Sequence, residues 1–555
     1  MSSSSPASSV EVNEKAQQQL KEQNTHDAID GMAVSEQTKQ GLRSGMHGPP
    51  KFSIKQLFSP PVINPTNLKS QTLCIFHPNR YALAFHLSWL GFFVAFLSWF
   101  AFPPLIPEII RTDLKLTAID VANSNIVSLS ATLGVRWIVG PFVDRFGPRY
   151  VMASLLIIGA IPSGLAGTAH NAHTLYVLRF FIGILGGTFV PCQAWTTCFF
   201  DKNVVGTANA LVGGWGNAGG GATFAIMVAL YTRLLKDTTP HVAWRAAFAA
   251  VPVPVLFFVA ALTLIFGPDH PAGKWSQRHT TPASAIAMKH GHQPQLDHSE
   301  RAVIENKMTT DKEAQPGVQV RPADAEEEAE MEANVKSEVD IAVNEKLTMK
   351  SFVTIISDPL TWLPAVSYLT SFGAELFVDS NVANIIFAIF KTTSFTSITA
   401  GYWTSSYGLL NIITRPLGGL AGDLIYRKFG VAGKKYLMLG LGMANGLVFI
   451  GLGQYLKHHP TIARGAHLPT FMGLLLLSAI FDEMGNGAAF ALVPHTAVRN
   501  NGLQSGLVGG MGNLGGIFFN LVIRYQTETG KAIWIIGIVV LIANAILLPI
   551  KTPKY

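Results

Sequence analysis

The sequence predicts an all-α membrane protein with twelve transmembrane helices in two six-helix pseudo-repeats. Three observations carry that prediction. Of the 555 residues, 49% are hydrophobic and only 14% charged, against roughly a quarter charged in a soluble domain. Much of the polar and charged content is gathered in residues 1–70 and 268–350, and the rest is nearly uncharged apolar sequence, in runs of about the 20 residues that one membrane crossing needs. The two halves of the apolar sequence carry matching motifs at matching places.

The elements follow in order. Residues 1–70, rich in Ser, Gln and charge with little to bury, read as a disordered cytoplasmic N-terminal tail. No basic segment leads into an apolar run at the start, so no cleavable signal peptide is expected. Residues 71–267 form an N-terminal six-helix bundle, with spans at 82–104, 119–143, 150–169, 174–199, 206–232 and 244–266. Residues 268–350, with an acidic run from Ala323 to Ala333, read as a largely disordered cytoplasmic central loop. The C-terminal bundle, 351–550, holds spans at 361–390, 397–422, 435–456, 468–494, 502–525 and 531–550, and 551–555 is a short cytoplasmic end. Counting Lys and Arg in the loops and their flanks favours both termini inside by a small margin.

Composition also excludes function classes. A net charge of +7 could suggest nucleic acid, but the cations are scattered between apolar spans and form no basic face, so no nucleic-acid partner is expected. Cys74, Cys192 and Cys198 have neither metal-ligand nor disulfide-framework spacing and read as small buried apolar residues. His170 and His173 in an outer loop, and His495 at an inner helix end, read as surface histidines. With no metal cluster and no catalytic triad in view, the expectation is a protein that is not an enzyme, holds no metal and needs no cofactor.

Spans 2 and 8 are repeats. RWIVGPFVDRFG starts at Arg136 and RPLGGLAGDLIYRKFG at Arg415, so Arg136, Gly140 and Asp144 match Arg415, Gly419 and Asp423. Residues at i, i+4 and i+8 share one helix face. Asp144 and Arg145 open a short loop at the cytoplasmic surface, and with Asp423 they read as a cytoplasmic gate. Eight residues at about 1.5 Å each put Arg136 roughly 12 Å inward, against roughly 15 Å to the middle of the hydrocarbon core. Both arginines are therefore expected near the midplane. Spans 5 and 11 repeat as well: GGWGNAGGG at 213–221 and GGMGNLGGI at 509–517 agree at six of nine positions. Parallel duplication of this kind is the architecture of the major facilitator superfamily.

A midplane arginine costs at least about 2.5 kcal/mol on insertion scales, so two at equivalent positions need a reason. One reading is an anion site between the halves. The other is a pair of Arg–Asp or Arg–carbonyl links. Few acidic residues are expected deep in the spans to neutralise both, which favours the anion. The planar, permanently charged guanidinium matches small planar oxyanions. Gly213, Gly214, Gly216, Gly219 and Gly220, with Gly509, Gly510, Gly512, Gly515 and Gly516, permit close helix approach and a narrow site. Asn217 and Asn513 are amides within those small-residue faces, and each must hydrogen-bond something: the anion, or the opposite arginine.

These residues carry a resemblance. The paired signatures at 213–221 and 509–517, GPFVDRFGPR at 140–149, SWFAFPPLIPEI at 98–109 and SFGAEL at 371–376 resemble the nitrate/nitrite porter family of the major facilitator superfamily, in its fungal-type branch. The resemblance covers about 80–266 and 351–550. It implies that Arg136 and Arg415 bind nitrate, that Tyr368 and Phe372 are the aromatic pair of span 7, that Phe189 is the aromatic of span 4, and that Asn217 is the signature asparagine. The second signature ends in Ile517 where the first has Gly221, so the two repeats are not symmetric.

The resemblance further implies import of nitrate, or nitrite, with protons across the plasma membrane. Moving one charge through 100 mV costs about 2.3 kcal/mol, so a negative-inside membrane opposes anion influx and coupling is needed. Glu375 and Asp379, one turn apart in span 7, are the proton-coupling candidates. The expected partners are nitrate or nitrite, protons and the lipid bilayer, with the chain a monomer. A nitrate-binding sensor or transceptor, and a nitrate/nitrite exchanger, stay open as alternatives.

Overall fold

The computed structural model describes residues 44, 50–64, 68–271, 273–277, 348–496, 500–526 and 528–552. Much of the expected N-terminal tail and most of the central loop, with its acidic run, lie outside these residues. Among the described residues the long elements are helices, and the only β features are isolated bridges.

Among the described residues twelve crossings are present. They are α1 (Arg80–Trp99), α2 (Ala118–Phe146), α3 (Pro148–Gly164), α4 (Ala172–Phe199), α5 (Val205–Leu234), α6 (Pro240–Phe266), α7 (Pro359–Phe390), α8 (Ser397–Leu410 with 414–429), α9 (431–458), α10 (Leu468–Thr496), α11 (Asn501–Tyr525) and α12 (Thr529–Ile546). Ten helices are long and apolar enough to cross by composition. One of those ten, Ser397–His458, is two crossings that meet at Gly430, whose φ of 60° breaks the helix. The twelfth is α5, where Gly and Asn dilute the hydropathy although 30 residues are helical.

Polarity is turned inside out, as a lipid solvent demands. Phe142, Ile158, Phe258 and Ile265 point outward, while Arg136, Arg415, Glu375, Asp482 and Glu483 are sealed within. The duplication sets the packing. A Cβ added to Gly140 of α2 would meet the Gly502 carbonyl oxygen at 2.8 Å, and one added to Gly419 of α8 would meet the Gly206 carbonyl oxygen at 2.6 Å. So α2 lies on α11, and α8 lies on α5, each pair bridging the two halves.

Two boundaries differ from the sequence reading. Residues 61–64 and 68–70, expected within the disordered tail, pack onto the bundle, while most of 51–60 is exposed. Ser70 bridges to Ile63 and to Phe200, Asn64 donates to Asp201 at 3.0 Å, and Lys69 is buried. Backbone pairing with the end of α4 gives this short segment the partners that its own composition cannot supply. The beginning of the central loop is also ordered. Trp275 covers Gly147, which turns α2 into α3 at a φ of 87°, and Arg149 pairs with Asp269 at 3.1 Å.

Candidate functional site

Arg136 and Arg415 are both fully buried, and each lies against the same two rings. The Arg136 guanidinium carbon is 4.7 Å from the Phe189 centroid and 5.1 Å from that of Phe372; for Arg415 the distances are 5.7 and 5.9 Å. One charge from each half thus meets the other across an aromatic slot. Phe372 and Tyr368, four apart on α7, stack at 5.0 Å and 9°, and Phe189 lies parallel to Tyr368 at 6.0 Å and 15°. All three aromatics expected from the sequence come together here. Phe490 of α10, which sequence reasoning missed, closes the slot edge-on, 4.7 Å from Phe189 and 4.9 Å from Tyr368.

Local backbone explains how the arginines are held. Gly183–Thr188 of α4 is a 3-10 stretch, and the Gly186 carbonyl there accepts from Arg136 Nε at 2.9 Å. Arg136 Nη1 donates to the Gly509 carbonyl at 2.7 Å, which also accepts from Asn513 Nδ2 at 3.1 Å. Asn513 therefore shares the carbonyl that holds Arg136. The other arginine differs: Arg415 Nη2 donates to the Tyr368 hydroxyl at 3.0 Å, and Arg415 Nη1 is 4.0 Å from Glu375 Oε2. Arg136 Nη2, Arg415 Nε and Arg415 Nη1 are buried donors with no hydrogen-bond partner in the structure. An orphaned buried donor costs about 1–3 kcal/mol, so three in one place mark a position built for an acceptor.

Glu375 is clamped. Asn217 and Asn411 donate to its Oε1, the latter at 2.7 Å, and Asn486 donates to its Oε2 at 2.6 Å. Asn217 thus braces a carboxylate. Asn411 and Asn486 were not foreseen, although Asn411 extends the four-residue ladder of Arg415, Gly419 and Asp423 by one step. Asp379, one turn along α7, is also buried. The expectation that few acids lie deep in the spans is corrected: Asp482 and Glu483 of α10 are fully buried beside this site. A hydropathy reading passes over two acids inside a run such as LLLLSAIFDEMGNGAAF.

The glycines line the close approaches. A Cβ on Gly213 would meet Arg415 Nε at 3.0 Å, and one on Gly509 would meet Phe189 at 3.1 Å, so these two keep the arginine faces open. Gly512 faces Phe372 and Tyr368 at 2.7 and 2.9 Å. Gly216, Gly219 and Gly220 lie on Phe92, Phe93 and Phe96 of α1, while Gly515 and Gly516 lie on Leu369 and Leu376 of α7. Gly214 and Gly510 lie on the Asn411 carbonyl and on Trp137.

The far ends of the two ladders lock the halves together. The backbone N–H groups of Gly502 and Leu503 donate to the two oxygens of Asp144 at 2.9 Å each. The backbone N–H and hydroxyl of Thr207 donate to Asp423 at 2.6 and 2.7 Å. Each aspartate caps the opening turn of a helix from the other half, where the helix dipole favours an anion. Asp423 also accepts from Lys434 Nζ at 2.9 Å, and Lys434 lies 2.9 Å from His495 Nε2. His495, read as a surface residue, is buried here because Tyr426 and Lys434 cover it. Arg145 is exposed beside Phe146.

The chain is similar to known membrane transporters. A family model described as the Major Facilitator Superfamily matches residues 88–377. The chain is 30% identical to "High-affinity nitrate transporter 2.3" of Oryza sativa subsp. japonica, over 84% of this chain and 77% of that protein. It is 29% identical to "Nitrate transporter 2.1" of Chlamydomonas reinhardtii, over 86% and 77%, and 26% identical to "Nitrate/nitrite transporter NrtP" of Nostoc punctiforme, over 84% and 91%. In fold it resembles the xylose transporter XylE from E. coli, with a TM-score of 0.54 at 13% identity, over 86% of this chain and 99% of that one. The chain belongs to the nitrate/nitrite porter family of the major facilitator superfamily.

Proposed function

We propose that this protein is a plasma-membrane secondary transporter that imports nitrate, or nitrite, together with protons by alternating access, and that the anion is clamped between Arg136 and Arg415. The observation that carries the reading is the set of orphaned guanidinium donors from both halves around one aromatic slot. Of the buried carboxyls, Glu375 alone comes within 4.0 Å of either arginine among the described residues, so the slot between the two guanidinium groups favours an anion. The parallel faces of Phe189 and Phe372 suit a flat, weakly hydrated one. The plant and algal relatives are nitrate transporters by name.

In this reading Tyr368 positions Arg415, Asn217 holds Glu375, and Asn513 steadies the carbonyl on Arg136. Asp144 and Asp423 tie the halves at the cytoplasmic end, both termini lie on that side, and release of these ties opens the site inward. Influx of an anion against a negative interior needs more than one positive charge per anion to build a gradient, which is why protons are included. The test is nitrate uptake and nitrate-evoked current in a cell lacking its own nitrate transport, recorded over a range of external pH. Saturable uptake with an inward positive current that grows as pH falls is expected. Uptake indifferent to pH, or no uptake with protein at the surface, rejects the reading.

A further inference from the structure

Besides Asp423, which pairs with Lys434, four carboxyl groups are buried among the described residues of the C-terminal half: Glu375 and Asp379 on α7, and Asp482 and Glu483 on α10. One buried arginine, Arg415, belongs to the same half. Four carboxylates beside one guanidinium, away from water, would cost several kcal/mol each. The hydrogen-bond partners of Glu375, Asp482 and Glu483 separate these three, while the Asp379 carboxyl receives no side-chain hydrogen bond among the described residues.

Glu375 receives three amide donors. Asp482 receives two, from Asn445 Nδ2 at 2.8 Å and from the Tyr407 hydroxyl at 3.2 Å. Both are supplied as carboxylates should be. Glu483 is different. Its Oε2 contacts the Thr414 hydroxyl oxygen, and its Oε1 has no partner although the residue is fully buried. The Thr414 hydroxyl also lies 2.8 Å from the Leu410 carbonyl oxygen, which can only accept. A hydroxyl carries one hydrogen. That hydrogen serves one of the two acceptors, and where it serves Leu410 the hydrogen between Glu483 and Thr414 comes from the carboxyl.

We propose that Glu483 holds a proton in this conformation and is the group that takes up and gives back a proton moved with the anion. The proposal rests on the proton-coupled reading above. Thr414 immediately precedes Arg415 in the chain, so the carboxyl is tied to the segment that bears the anion-binding charge. The two helices touch tightly there: an added Cβ on Gly418 would meet the Met484 carbonyl, and one on Gly487 the Arg415 carbonyl. A movement of α8 on anion binding therefore reaches the Glu483–Thr414 contact. The groups facing Glu483 are Asp482 on its own helix, Glu375 and Asp379 on α7, and Tyr407 and Arg415 on α8. In the forward step a hydronium ion gives its proton to the Glu483 carboxylate; an O–H bond forms, and that O–H donates to Thr414. In the return step the O–H bond breaks, the proton passes to water, and the carboxylate is left near Arg415. Glu375 then serves as a fixed counter-ion, with no proton exchange of its own.

The experiment uses the full chain in liposomes, with wild type, Glu483→Gln and Asp482→Asn compared. Wild type and Asp482→Asn should accumulate nitrate when an inward proton gradient is imposed. Glu483→Gln should accumulate no more than it does without a gradient, while still exchanging labelled for unlabelled nitrate. Infrared spectra should show the carbonyl stretch of a protonated carboxyl in wild type and its loss in Glu483→Gln. Gradient-driven accumulation by Glu483→Gln at the wild-type ratio overturns the proposal, and so does a stretch that the substitution leaves unchanged. If wild type itself ignores the proton gradient, the symport reading fails, and the infrared band still decides whether Glu483 is protonated. Should Glu483→Gln not fold, the near-isosteric Thr414→Val removes the acceptor. A shifted stretch then supports the proposal, and an unshifted one overturns it.

Discussion

Glu375 and Arg415 face each other at 4.0 Å, carboxylate oxygen to Nη1, in a fully buried setting, whereas Arg136 makes no ion pair among the described residues. The two repeated arginines are thus chemically unequal. Arg136 is held by two carbonyl oxygens and Arg415 by a phenol and a carboxylate. That asymmetry generates most of the expectations below.

Arg136→Lys should lose the simultaneous reach to Gly186 and Gly509, because one ammonium cannot span both carbonyls and still face the slot. Each lost hydrogen bond from a charged donor is worth about 1.5–3 kcal/mol, so the half-saturating nitrate concentration should rise at least about tenfold. Arg415→Lys should do the same through loss of its fork toward Tyr368 and the slot. Uptake kinetics with surface expression checked is the measurement. An unchanged half-saturation in both variants would contradict the clamp.

Glu375→Gln leaves Arg415 without its counter-charge. Breaking one partner of a buried pair costs about 3–5 kcal/mol, so the purified protein should unfold at a lower temperature than wild type. Nitrate should restore more of that loss than it adds to wild type, since the anion now supplies the missing charge. Thermal unfolding with and without nitrate decides it. An equal nitrate shift in the two proteins would mean that Glu375 does not balance the site.

Gly512→Ala places a methyl within 3 Å of Phe372 and Tyr368, and stacked rings have little room to yield. Transport should fall mainly through the aromatic slot, seen as weaker nitrate binding. Gly216→Ala presses on Phe92 instead and should lower stability more than affinity. Binding titrations on both purified variants separate the two; matching effects on affinity would show that Gly512 only packs.

Asp144→Asn weakens a charged cap on α11, a loss of about 0.5–2 kcal/mol. Asp423→Asn should be worse, because Lys434 is then left buried beside His495 without its carboxylate. Both should raise labelling of cysteines placed at the ends of α5 and α11 that Asp423 and Asp144 cap, with the larger loss of thermal stability in Asp423→Asn. Equal stability of the two variants would remove Lys434 from the argument.

Asp113, outside the spans, supplies a pH test. Burial pushes its carboxyl up, but hydrogen bonds from His241, Arg245 and Trp244 outweigh burial and hold it below its ordinary value of 3.8. A carboxyl lowered on folding stabilises the fold above its unfolded pKa and loses that contribution as pH falls through the folded one. Acidification below about 4 should therefore loosen the tie between residues 111–113 and α6. Asp113→Asn should remove this part of the acid sensitivity, read as a flatter unfolding profile below that pH.

The sequence by itself determined the spans, the duplication and the arginine ladders. A lipid solvent forces each crossing to satisfy its own backbone and to be apolar over a fixed length, so those features are written locally. The four-residue spacing of Arg415, Gly419 and Asp423 is likewise a property of one helix. Even Tyr368, Phe372 and Phe189 were legible, through motif resemblance. Only the tertiary structure decided what these groups meet. Asn217 reaches Glu375 across 158 positions of chain, and Asp144 caps a helix 358 positions away. Glu483 meets Thr414, the neighbour of Arg415, across 69 positions of chain. Hydropathy and spacing describe single helices, whereas charge, hydrogen bonding and burial at this site are properties of seven helices brought together.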